Sequence, residues 1–190
     1  MPENIIEAIR GSMNLPPLTK IDPNDQEPKH AEGLSIPERL AQAALPAVMA
    51  GFFRYTRTDN GCNTILAGGH GQTWLQEIFE NKKEEAVQKV ADYAGTTTDE
   101  AESLMEDIAQ EAVLIIHQTM DNKHTAEKLR EYIGGQRHNI LVYLPAAMQM
   151  GYLLEDNSID DRTNKMEGPV SSLMHKIGDS LTKGDETKYP

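Results

Sequence analysis

The sequence predicts an all-α fold, a compact multi-helix bundle, on three observations. Apolar residues recur at helical spacing along much of the chain, as at 36, 40, 43, 44, 47 and 48. Two capping boxes, Ser35 with Glu38 and Thr97 with Glu100, stand directly ahead of such stripes. No stretch alternates apolar and polar residues with β-branched enrichment, which a half-buried strand requires.

Taken in order, Asn4 to Met13 has apolar residues at 5, 6, 9 and 13, the spacing of a short amphipathic helix that either docks one face or stays a loose arm. Asn14 to Glu32 holds four prolines and many charges without a period, which is linker composition. The chain therefore divides into a flexible N-terminal arm over 1–34 (helix plus Pro-rich linker), a single helical domain over 35–182, and a flexible tail over 183–190. In the body, Pro46 predicts a kink or a fresh helix start. Thr58 to Gly71 (TDNGCNTILAGGHG) reads as turn chemistry, and Trp74, Leu75, Ile78 and Phe79 mark a short helix after it.

Lys82 to Ala94 reads as a helix stopped by Gly95 in the left-handed conformation. The helix opened by Thr97 runs to about Met120. Its second half, Ala112 to Ile116, is apolar nearly all round and is expected at the centre of the core. Thr125 to Ile133 gives a short helix ending at Gly134-Gly135. Another starts near Arg137 or Pro145 and ends near Leu154, and a last spans Pro169 to Leu181. Leu45-Pro-Ala-Val-Met49 and Leu144-Pro-Ala-Ala-Met148 echo each other, as two Pro-led starts of core helices would.

Composition bounds the function. Of 190 residues, 30 are acidic and 18 basic, a net charge of −12 that disfavours nucleic acid and anionic membrane surfaces, both of which need a cationic face. Leu, Ile, Val and Phe together number only 39, so 17 Ala and 9 Met must supply much of the packing volume. A single cysteine, Cys62, makes neither an internal disulfide nor a Cys-rich zinc site. MPENIIEAIRGSM lacks the apolar core of a signal peptide, and Ile140 to Leu154 is too short a run to span a membrane, so a cytoplasmic, non-membrane protein is expected.

Several groups could carry chemistry, and each has a structural reading that outweighs it. Glu85 to Asp107 has the look of a helix-turn-helix, but the front of its second helix is Asp99, Glu100, Glu102, Glu106 and Asp107, which phosphate would repel. Asp156, Ser158, Asp160, Asn164 and Glu167 fall at EF-hand positions 1, 3, 5, 9 and 12, yet Asp161 stands where that loop needs glycine. Gly68-Gly69-His70-Gly71 lacks the Lys-Ser/Thr of a phosphate loop and reads as a helix connection. Cys62 and His70 share a loop without a third, orienting group. His117 is expected to bond a carbonyl at a helix end, and with His124 it forms no zinc pattern. Met148, Met150 and Met174 read as gap fillers, and Ala146, Ala147 and Gly151 as points of close helix approach.

The run from Ile78-Phe79 through Ala86, Val90, Ala91, Tyr93, Ala94 and Gly95 to Leu104, Met105, Ile108, Ala112, Val113 and Ile116 resembles the YidB-like family of small bacterial helical proteins of unknown function. Leu144-Pro145 to Leu154 and Gly168-Pro169 to Leu181 are similar to its Pro-led helices. The resemblance covers about Ile36 to Leu181 and implies a homeodomain-like arrangement of helices, with no active site to carry over.

The expectation is a non-enzymatic cytoplasmic interaction or structural protein, engaging a protein partner or itself through its grooves or its N-terminal arm. The alternative is a small-molecule or divalent-cation-binding protein, or an enzyme, using the 68–71 or 156–167 loop. No catalytic, cofactor-binding or metal-binding residue is assigned, and no cofactor is expected.

Overall fold

A computed structural model describes residues 4–21, 33–68, 73–120 and 125–159, and among these the protein is an all-α multi-helix bundle. The expected helix over 169–181, the tail, and most of the 14–32 linker lie outside the described residues.

The chain opens with α1 (Ile5–Ser12), whose N-cap Asn4 accepts from the Ile6 amide at 3.1 Å. Ile5, Ile6 and Ile9 are completely buried in the main core. Of the two alternatives for Asn4 to Met13, the structure takes the docked one, with its isoleucines in the same buried cluster as the body. A free N-terminal arm is corrected to this extent: α1 and the extended segment up to Ile21 lie on the body.

The centre of the bundle is α2 (Ile36–Tyr55). Ser35 donates its amide and hydroxyl to Glu38 Oε2 at 2.7 and 2.6 Å, so the capping box forms, and these bonds hold the Glu38 carboxyl below its usual range. Every residue from Ala41 to Phe53 is buried. Alanines at 41, 43, 44, 47 and 50 let neighbouring helices approach on all sides, and at Gly51 a Cβ would meet Phe79 at 3.0 Å. The helix neither ends nor restarts at Pro46. Small residues rather than large apolar ones allow this close packing all round.

Beyond α2, residues 59–67 form α3 (Asp59–Ala67) and not a turn. Thr58 Oγ1 accepts from the Gly61 amide at 3.0 Å, so the Asp-Asn-Gly triplet is the first turn of a capped helix. Next come α4 (Trp74–Phe79) and a 3-10 turn (Glu80–Lys82). They lead to α5 (Lys83–Ala94), which Gly95 ends at φ 70° as the sequence predicts. Arg39 closes that end by donating from Nε to the Ala94 carbonyl at 2.9 Å. The Thr97 and Glu100 box opens α6 (Thr98–Thr119), which packs on α2 and α5. In its apolar half Ala112, Val113, Ile115 and Ile116 are buried in the core, as expected, and only Leu114 among these five is exposed, at 50 %.

The remaining described chain is short pieces: α7 (Ala126–Gly135), α8 (Arg137–Leu141), a 3-10 turn (Ala146–Met148) and α9 (Met150–Leu153). A single helix ending near Leu154 is therefore corrected to three fragments. Pro145 starts only the 3-10 turn, and Gln149 takes a positive φ of 48°. Ala146 and Ala147 are exposed, not points of close approach, whereas Met148, Met150 and Gly151 are buried as expected. No helix among the described residues is long and apolar enough to cross a membrane.

Candidate functional site

The most developed polar constellation is the seat of the N-terminal segment, built from two buried glutamines. Gln42, alone among apolar neighbours on α2, is 3 % exposed. Its Oε1 accepts from the Thr19 amide at 2.7 Å, and its Nε2 donates to the Thr19 carbonyl at 3.1 Å and the Tyr143 carbonyl at 2.7 Å. One side-chain amide thereby pairs with a peptide backbone as a neighbouring strand would, which satisfies a group that is costly to bury unpaired. Gln136, at the junction of α7 and α8, is fully buried and accepts from the Ile5 amide at 3.2 Å and from Asn139 Nδ2 at 2.9 Å. The Ile21 amide donates to the Val142 carbonyl at 2.8 Å. At the rim, Tyr143 donates its hydroxyl to Glu7 at 3.2 Å and Ser12 donates to Glu111 at 2.5 Å. Neither glutamine was singled out by the sequence reading. The available signal for Gln42 is its place as the one polar residue within the otherwise apolar run 41–53, before Arg54.

The groups singled out in the sequence are engaged in internal contacts. Cys62 is buried and donates from Sγ to the Thr56 carbonyl at 3.0 Å. Burial pushes its thiol up, against the pull of the nearby Arg130 guanidinium, so the thiolate a nucleophile needs is disfavoured. His70, its imagined partner, lies outside the described residues with Gly69 and Gly71. Gly68 ends α3, beside His117. Labelling of Cys62 by a thiol reagent at neutral pH is expected to be slow in the native protein and to become fast in denaturant. Equal rates would show the thiol accessible.

His117 meets the Ile65 carbonyl through Nε2 at 2.7 Å, the carbonyl contact expected of it. His124 lies outside the described residues. On the acidic front of α6, Glu106 accepts from the Trp74 and Leu75 amides at 2.8 and 3.0 Å and so caps α4, whose own Thr73 makes no side-chain cap. Glu102 pairs with Lys83 at 2.8 Å, and Glu100 belongs to its capping box. These three carboxylates have partners within the fold. Removing the cap in Glu106→Ala is expected to cost about 1–2 kcal/mol of stability, with Glu106→Gln milder. Equal melting of all three proteins would mean that the cap is not formed.

At the start of the EF-hand-like stretch, Asp156 is 6 % exposed and its Oδ1 accepts from the Ser158 amide and hydroxyl at 2.9 and 2.7 Å. Its Oδ2 makes no hydrogen bond but lies 3.1 Å from Arg57 Nη1, a charge contact. Arg57 also donates to Ser158 Oγ at 2.5 Å and stacks over Phe53 at 4.9 Å, while Arg137 donates to the Ser158 carbonyl at 2.9 Å. A guanidinium therefore stands where loop positions 1 and 3 would hold a cation. Asp160, Asp161, Asn164 and Glu167 lie outside the described residues. Calorimetric titration with millimolar calcium is expected to give no binding heat, and saturable heat would overturn this.

No cluster of three or more His, Cys, Asp or Glu that could hold a metal occurs among the described residues. A dimple lined by Ala50, Phe53, Arg137, Ile140, Leu141 and Ile159 is too small for a water molecule. In comparisons with known proteins, no family model, curated protein or solved structure matches the chain.

Proposed function

We propose that the chain is a non-enzymatic interaction or structural protein of the cytoplasm, a helical body that works by engaging another protein, and that it is a YidB-like family member. The observation that carries the reading is the seat just described, where side-chain amides of the body hold a peptide backbone. Docking an amphipathic helix or an extended segment on a body is how many interaction modules take up a partner. The fixed contacts of Cys62, His117, Glu106 and Asp156 agree with it, since each serves the fold. The family proposal is supported by the residues of α4 to α6 quoted above, and the net charge of −12 speaks against a nucleic-acid partner.

The test is capture of the tagged full chain from native lysate at moderate salt, read by quantitative mass spectrometry and followed by reconstitution from purified components. A near-stoichiometric protein that rebinds in purified form is expected. Recovery of the chain alone would contradict the reading and favour a ligand-binding protein.

A further inference from the structure

We propose that residues 4–21 are a displaceable strap, which opens as a unit from α2, α6 and α8 and yields its seat to a partner protein's amphipathic helix with an extended segment after it. The proposal rests on the reading above and adds where the partner binds and what it must look like. The polar contacts of the seat are indifferent to sequence. Gln42 binds the amide and carbonyl of Thr19, Gln136 binds the amide of Ile5, and Val142 binds the amide of Ile21, so each would bind another peptide equally well. Selectivity comes from the apolar slot, which takes Ile5, Ile6 and Ile9 and so asks for branched apolar residues at i, i+1 and i+4. At the rim, the Glu111 carboxylate accepts the Ser12 hydroxyl and would accept a hydroxyl or a cation from a partner.

The strap is also separable. Its hydrogen bonds to the body run to Gln42, Glu111, Gln136, Val142 and Tyr143, with no helix shared between the two parts. Residues 22–32 join it to Gly33, just ahead of α2, a length of chain that reaches at most about 40 Å, enough for release without unwinding α2. Terminal segments are among those that open below global unfolding.

The experiment is hydrogen exchange by mass spectrometry on the full chain, with binding of a labelled peptide of residues 4–21 as its second arm. Amides of 4–21 are expected to exchange together, about tenfold or more faster than those of the buried half of α6. Gln42→Ala should speed the strap by a larger factor than α6, since it loses both strap bonds to Thr19 and one body bond to Tyr143. The peptide should bind an Ile9→Ala chain saturably and about tenfold or more tighter than the unaltered chain, whose own strap competes. Ile6→Ala, which also alters the strap and not its seat, serves in its place if Ile9→Ala does not fold. Exchange of 4–21 at the α6 rate, or no peptide binding to a variant with protected α6, would overturn the proposal. A partner captured equally well with the strap covalently fixed would sink the strap alone, whereas an opening strap with no partner would sink the reading of function.

Discussion

Gly61→Ala is expected to lower the melting temperature by about 6–12 °C, which corresponds to about 3 kcal/mol for a chain of this size. Gly61 lies in the first turn of α3, and a Cβ there would stand 2.1 Å from the Tyr55 carbonyl oxygen and 2.9 Å from its carbon. Both atoms are backbone, so no side chain can rotate away. The last turn of α2 and the start of α3 would have to separate, disturbing the bonds that Cys62 and Thr58 donate to the Thr56 and Tyr55 carbonyls. Gly134→Ala is the control, because nothing lies within 4 Å of its Cβ and the helical site favours alanine. It should melt at the same temperature or slightly higher. Equal melting of both variants would show that α2 and α3 do not approach as described.

Ile9→Ala is expected to destabilise the protein by about 2–5 kcal/mol, the range for truncating a fully buried aliphatic side chain. Ile9 has no exposed surface, and neither do Ile5 and Ile6 beside it. The comparison is Leu114→Ala, at a half-exposed position, which should change stability by no more than about 0.5 kcal/mol. Urea denaturation of the three proteins reads both effects. An Ile9→Ala protein as stable as the unaltered chain would mean that α1 is loose.

The helices with long stripes and side-chain caps were legible from sequence, because periodicity and caps are local. Ser35 with Glu38, Thr97 with Glu100 and the Gly95 stop all form as read. Residues 58–67 were not, since Thr, Asp, Asn and Gly serve turns and first helical turns alike, and only the Thr58 cap tells them apart. Pro46 allowed a fresh helix start that does not occur, because a central helix, packed on every side, tolerates an interruption that an isolated one would not.

The seat was illegible for a different reason. Gln42 and Tyr143 are 101 residues apart, and Ile5 and Gln136 are 131 apart, so no spacing rule links them. The contacts of Glu106 with Trp74 and of Asp156 with Arg57 are equally non-local, which is why an acidic helix front and a loop of carboxylates looked available in the sequence. What the sequence did offer was a single amide in an apolar helix, whose burial would require partners.

Residues 4–21 lie in this seat, and nuclear Overhauser spectroscopy of the methyl-labelled full chain tests that most directly. Cross-peaks are expected from the methyls of Ile5, Ile6 and Ile9 to methyls on α2, α6 and α8, with the Ile5 amide close to the Gln136 side chain. Random-coil shifts for these isoleucines, with no long-range cross-peaks, would contradict it.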